Sequence, residues 1–133
     1  MRQGKKGLIL LEIFLVDQFL KFLAVRLNLA VINKGIAFGL FKSFQNYPLL
    51  ILAILIIGLF LFLLAVCKLL AHRDGKKIFY LALVLTGGLS NLLDRWIYGG
   101  VVDYLHLPRL PSFNLADLAI NIGFVVLFYQ AVF

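Results

Sequence analysis

Four aspartates in this sequence stand where carboxyl chemistry is possible: Asp17, Asp94, Asp103 and Asp117. Two carboxyl groups brought close together cannot both ionise, so such a pair holds one proton. The ionised member takes a proton from water. The protonated member polarises a carbonyl and later protonates a leaving nitrogen. This chemistry needs neither a metal nor a nucleophilic side chain. Spacing singles out Asp103 and Asp117, which flank one loop whose Pro108 and Pro111 can fold one acid back onto the other. A plainer reading stands beside this one. Asn114 followed by Asp117 has the spacing of a helix N-cap with an acid in the first turn. Asp94 beside Arg95 reads as an interfacial ion pair, and Asp17 four residues before Lys21 as an ordinary helix pair.

The elements that position these groups follow from composition. Of 133 residues, 63% are hydrophobic and 14% charged, against roughly 45–50% and 25% in soluble domains. Mean hydropathy is +1.03. A soluble fold of this size has too much exterior per unit of core to hide that surface, so lipid is the solvent for much of the chain. Disorder is excluded by the same arithmetic. The net charge of +7 would suit nucleic acid in a soluble chain. Here the basic residues lie between or beside apolar runs, which points to membrane topology and anionic lipid, with no nucleic-acid partner.

A spanning helix needs about 20 mostly apolar residues. Four segments qualify, at about 7–27, 49–70, 78–95 and 113–133, joined by outer loops 28–48 and 96–112. The fold class expected is an all-α membrane protein of four transmembrane helices with a small β-like outer region, all in one domain over 1–133. The first segment has a basic start but no small-residue cleavage site, and Asp17 and Gln18 fall where that site belongs, so it reads as a retained helix. Lys68, Arg73, Lys76 and Lys77 crowd the middle loop, which gives both termini on the inner side by the positive-inside rule. Trp96, Tyr98 and Tyr104 read as an aromatic belt at the outer end of span three. Gly87 and Gly88 read as a close helix-packing site.

On that topology Asp17, Asp94, Asp103 and Asp117 all fall toward the outer face. Ionisable groups in a membrane rarely face lipid, and several at one depth imply a shared polar pocket. Glu12, in the inner half of span one, either snorkels inward or faces the bundle. The lone Cys67 reads as a small buried hydrophobe. His72 and His106 read as solvated. No Cys/His cluster has metal-ligand spacing, so neither a metal nor another cofactor is expected. The residues leave three classes open: a peptidase, a proton-coupled carrier with acids spread along the membrane normal, and a non-enzymatic assembly protein whose acids are structural.

Four stretches resemble the bacterial lipoprotein signal peptidases (signal peptidase II), in that family's order and over most of the chain. They are Val16-Asp17-Gln18 with Lys21; Asn33-Lys34-Gly35-Ile36-Ala37-Phe38-Gly39; Asn91-Leu92-Leu93-Asp94-Arg95 with Gly100-Val101-Val102-Asp103-Tyr104; and Phe113-Asn114-Leu115-Ala116-Asp117 with Ile120 and Gly123. The resemblance implies an aspartic endopeptidase with Asp103 and Asp117 as its catalytic pair. Asp17, Lys21, Asn33, Asn91, Asp94, Arg95 and Asn114 match family positions that bind substrate or support the site. The implied substrates are prolipoproteins bearing a diacylglyceryl-cysteine, cut just before that cysteine at the outer face of the bacterial inner membrane. Membrane lipids are the other partners, and a monomer is expected because one bundle can host the whole site. Ser90 and Ile36 depart from the family pattern, standing where Gly and a small residue are usual.

Overall fold

The computed structural model describes residues 3–34 and 75–133, together with positions 57, 58, 61 and 68. Of the expected second span, Ile57, Gly58, Leu61 and Lys68 are therefore described, all four helical. Most of the first outer loop, with Ile36, and also Cys67 and His72 lie outside the described residues.

Helix α1 spans Gln3–Arg26, about 36 Å of rise, enough to cross a hydrocarbon core of about 30 Å. It ends in a Schellman motif. Asn28 turns left-handed at φ 56°, and Leu29 N–H and Asn28 N–H donate to the carbonyls of Ala24 and Val25 at 2.9 and 3.3 Å. At the other end Lys6 Nζ donates to the Gly75 carbonyl at 2.7 Å and sits 5.6 Å from the Phe79 ring centre. That contact ties the start of α1 to the start of helix α2, Gly75–Tyr98. Among the described residues α2 is the one helix long and apolar enough to cross a membrane. Leu115–Gln130 is as apolar but shorter, and α1 is interrupted by Glu12, Asp17 and Lys21.

Burial is inverted relative to a water-soluble protein. The side chains that vanish from the surface include Asp17, Lys21, Asp94, Asp103 and Asn114, whereas Trp96 is 86% exposed and Leu8, Leu11, Leu15, Phe19 and Phe22 of α1 face outward. Asp17, Lys21 and Ala24 are the buried positions of α1, and their spacing of four and three residues places them on one face. Glu12 is exposed, which speaks against the bundle-facing reading.

A small sheet follows the helix ends. Strand β1, Val31–Asn33, pairs antiparallel with strand β2, Val101–Asp103, with Val31 opposite Asp103 and Asn33 opposite Val101. Beyond β2 the chain loops out through the prolines and returns at a bridge between Leu105 and Phe113. There Leu105 N–H donates to the Phe113 carbonyl at 2.9 Å and Phe113 N–H to the Leu105 carbonyl at 3.0 Å. Helix α3, Leu115–Val132, starts two residues later.

Helices α2 and α3 lie against each other at glycines. A Cβ on Gly87 would collide with the Ala116 carbonyl oxygen and with Ile120, and one on Gly123 would collide with Val84 and the Tyr80 carbonyl. Among the described residues Gly88 has nothing within 4 Å of that position, so among them Gly87 and not Gly88 is the packing site. The expected consequence is that Gly87→Ala costs about 1–3 kcal/mol by overpacking. Gly88→Ala should be neutral or gain up to about 1 kcal/mol of helix propensity. Thermal melts of both variants in the same detergent check this, and equal costs would refute the assignment of Gly87 as the contact.

Candidate active site

Asp103 ends β2 and Asp117 sits in the first turn of α3, so the bridge that closes the intervening loop also carries the two acids to one place. Asn114 connects them. Its Oδ1 accepts from Asp117 N–H at 2.9 Å, and Asp117 Oδ2 accepts from Asn114 N–H at 3.2 Å, a reciprocal capping box. Because the cap commits Oδ1 to the helix, Nδ2 points the other way. It donates to Asp103 Oδ1 at 3.1 Å, to Asn91 Oδ1 at 3.1 Å and to the Val102 carbonyl at 3.2 Å. Both carboxyl groups are thus hydrogen-bonded to one buried residue.

The other oxygen of each acid has its own amide donor. Asn33 Nδ2 donates to Asp103 Oδ2 at 3.1 Å, and Asn91 Nδ2 to Asp117 Oδ1 at 2.8 Å. Asp103 is 1% exposed, while Asp117 is half-buried and forms the open side of the pair. Burial pushes the Asp103 carboxyl up to about 6, and the Asp117 charge pushes the same way. The amide of Asn33, the Lys21 charge and the amide of Asn114 oppose it.

Behind the pair lies a buried ionic cluster. Lys21 Nζ is 2.7 Å from Asp17 Oδ2 and 2.7 Å from Asp94 Oδ2, with all three side chains excluded from solvent. Lys21 also donates to Asn91 Oδ1 at 3.0 Å. Asp17 reaches the start of α3, where its Oδ1 accepts from Ala116 N–H at 3.2 Å and from the Tyr104 hydroxyl at 2.8 Å. Tyr104 OH in turn accepts from Leu115 N–H at 3.1 Å. Asp94 Oδ2 accepts from Val102 N–H at 3.2 Å, which fixes β2 to α2. The Arg95 guanidinium lies in the field of Asp117, Asp94 and Asp103. Among the described residues no group of three His, Cys, Asp or Glu is placed to hold a metal ion.

The nine residues singled out in the sequence therefore meet in one place. Eight form a continuous hydrogen-bonded network, and Arg95 joins it electrostatically. Three further members have side chains that the sequence did not assign to it. Gln18 Nε2 donates to Ser90 Oγ at 2.8 Å and to Asp94 Oδ1 at 3.1 Å. Ser90 Oγ donates to Asp17 Oδ2 at 2.6 Å. Tyr104 points inward instead of serving in an aromatic belt, and burial raises its phenol above the ordinary range, with the neighbouring Asp17 adding to the effect. The signal available for Gln18 was a polar side chain in an apolar run. Asp94 makes its ion pair across to Lys21, so it is a cluster member and not simply an interfacial acid. His106 Nε2 lies 3.1 Å from the Leu29 carbonyl on the exposed surface.

Two solved bacterial membrane enzymes, both determined by the in meso method, share this fold. One superposes with a TM-score of 0.74 over 98% of this chain and 88% of its own, at 23% identity. The other does so at 0.65 over 98% and 94%, at 21% identity. The fold is thus one that bacterial membrane enzymes adopt. In sequence, the family described as Signal peptidase (SPase) II matches residues 9–133. The lipoprotein signal peptidase of Thermodesulfovibrio yellowstonii is 34% identical over 95% of this chain and 93% of its own length. That of Wigglesworthia glossinidia brevipalpis is 32% identical over the same shares. The chain belongs to the signal peptidase II family.

Since the fold favours protonated Asp103, its stabilising contribution is complete below the unfolded value of 3.8 and is lost as pH rises through about 6. Melting curves of wild type and Asp103→Asn between pH 4 and 8 test this. The difference should move in favour of the variant as pH rises from about 4 to about 6 and level off above that, and a difference independent of pH would refute the raised carboxyl.

Proposed function

We propose that this chain is a membrane aspartic endopeptidase that removes signal peptides from diacylglyceryl-modified prolipoproteins, cutting before the lipidated cysteine, with Asp103 and Asp117 as the catalytic pair. The observation that carries this reading is the attachment of both carboxyl groups to Asn114, which holds them within reach of one substrate carbonyl. Two acids so placed share one proton. Asp103 is the less exposed of the two, and burial favours its protonated form. Asp117 stands in the first turn of a helix, where the backbone dipole favours negative charge.

In the reaction, ionised Asp117 takes a proton from a water molecule as its oxygen attacks the scissile carbonyl carbon. Asp103 gives its proton to the carbonyl oxygen, which completes a neutral tetrahedral diol. Asp117 then passes its proton to the departing nitrogen, and Asp103 recovers one from the diol as the C–N bond breaks. The products are a carboxylic acid on the signal peptide and a free amine on the lipidated cysteine, and the acid then gives its proton to the amine or to water. Asn33 and Asn91 hold the outer oxygens of the two acids so that neither rotates away.

The same reading places four spans at about 7–27, 49–70, 78–95 and 113–133 in one domain, with both termini inside and the site toward the outer face of the cytoplasmic membrane. The substrate helix lies among the spans and its acyl chains enter the bilayer, which agrees with the apolar outer faces of α1 and α2. A monomer suffices. A carrier reading is disfavoured because Asp17, Asp94, Asp103 and Asp117 converge on one site instead of marking a path across the membrane.

Purified protein with a diacylglyceryl-modified prolipoprotein tests the proposal. Wild type releases the signal peptide, and Asp103→Asn and Asp117→Asn each lower the rate by roughly a thousandfold or more while remaining folded. Unmodified precursor is a poor substrate, and chelators leave the rate unchanged. Normal cleavage by either variant would refute the pair.

A further inference from the structure

Lys21 is used by none of these steps, yet it is fully buried in contact with two carboxylates. A structural ion cluster is the simple explanation, but two features exceed it. Buried ion clusters seldom stabilise a fold more than apolar packing would. An ammonium also has only three N–H groups. Two go to Asp17 Oδ2 and Asp94 Oδ2, both at 2.7 Å. The third goes to Asn91 Oδ1 at 3.0 Å, with Ser90 Oγ a more distant neighbour at 3.3 Å. Asn91 is the residue whose Nδ2 holds Asp117 Oδ1 at 2.8 Å. With an ammonium and the Asn114 amide both facing Asn91 Oδ1, a flipped amide would set donors against donors and turn a carbonyl oxygen onto the Asp117 carboxylate.

We propose that Lys21 is a positioning residue for the aspartate pair: through Asn91 it aims an N–H at Asp117, and its buried charge sets the pH window in which the pair holds a single proton. This rests on the peptidase reading above. The groups facing the site from each element are Asp17 on α1, Asp94 and Arg95 on α2, Asp103 on β2, Tyr104 just beyond it, and Asp117 on α3. Among the described residues four carboxyl groups thus share two cations. Of these cations Lys21 alone is fully buried, and its charge bears on the Asp103 carboxyl.

The test uses the full-length protein and two readouts. The first is the pH profile of prolipoprotein cleavage. The second, independent of activity, is the carbon-13 NMR titration of the Asp103 carboxyl in unliganded protein labelled at aspartate, assigned by loss of the signal in Asp103→Asn. Lys21→Gln keeps a hydrogen-bond donor and removes the charge. It should move both the profile and the Asp103 titration alkaline by roughly half a pH unit or more. Lys21→Arg, which keeps the charge, should leave both near their wild-type places. If Lys21→Gln does not fold, Lys21→Gln combined with Asp94→Asn removes one charge of each sign and should move both readouts in the same direction by less. A folded Lys21→Gln or double variant that titrates like wild type would overturn the inference, even if its melting temperature falls. Failure of wild type to cleave would overturn the peptidase reading instead, and the NMR titration would still decide the role of Lys21.

Discussion

The structure depends on keeping several carboxylates out of water, with fewer cations than acids beside them among the described residues. An isolated carboxylate moved into a dry interior would cost far more than a small fold can supply. Here the cost is met oxygen by oxygen. Asp17 receives Lys21, Ser90, Tyr104 and the Ala116 amide. Asp94 receives Lys21, Gln18 and the Val102 amide. Asp103 and Asp117 receive asparagine amides and a backbone N–H. Donors come from α1, α2, β2 and α3, so the network is also what holds these elements together. Lipid-facing helices gain little from hydrophobic contact with one another, and polar bonds and close packing must do that work.

The start of α3 shows how completely the fold serves the site. The first four N–H groups of a helix have no partner within it. Here Asn114 donates to the Asp117 carboxylate, Leu115 to the Tyr104 hydroxyl, Ala116 to Asp17 and Asp117 to the Asn114 side chain. A helix end whose four free N–H groups all find side-chain acceptors has little freedom to fray, and it is the end that bears Asp117. Close contact at Gly87 with the Ala116 carbonyl fixes the same turn from the other side.

Much of this was legible in the sequence. Pro108 and Pro111 between Asp103 and Asp117 announced a return of the chain, and the structure closes it at Leu105 and Phe113. The capping pattern at Asn114 was also legible, but it was set against a functional role, and the geometry makes the two compatible: the cap is what aims Nδ2 at Asp103. The helices lie close to the apolar runs, Gly75–Tyr98 against 78–95 and Leu115–Val132 against 113–133. What periodicity does not disclose is the rotation of α1 against α2. That rotation decides that Lys21 meets Asp94 and Asn91, that Gln18 and Ser90 touch, and that Tyr104 turns inward. Each of these is a contact between distant residues with no local signature.

The bridge between Leu105 and Phe113 has one more implication. It isolates residues 106–112 from the geometry on either side, because the carboxyl groups hang from the segments that the bridge has already pinned. Loop closure entropy grows only slowly with added length. Insertions or replacements beyond the bridge therefore leave the spacing of Asp103 and Asp117 intact, and the exposed Leu107 and Leu110 belong to a stretch whose sequence can change without moving either carboxyl group.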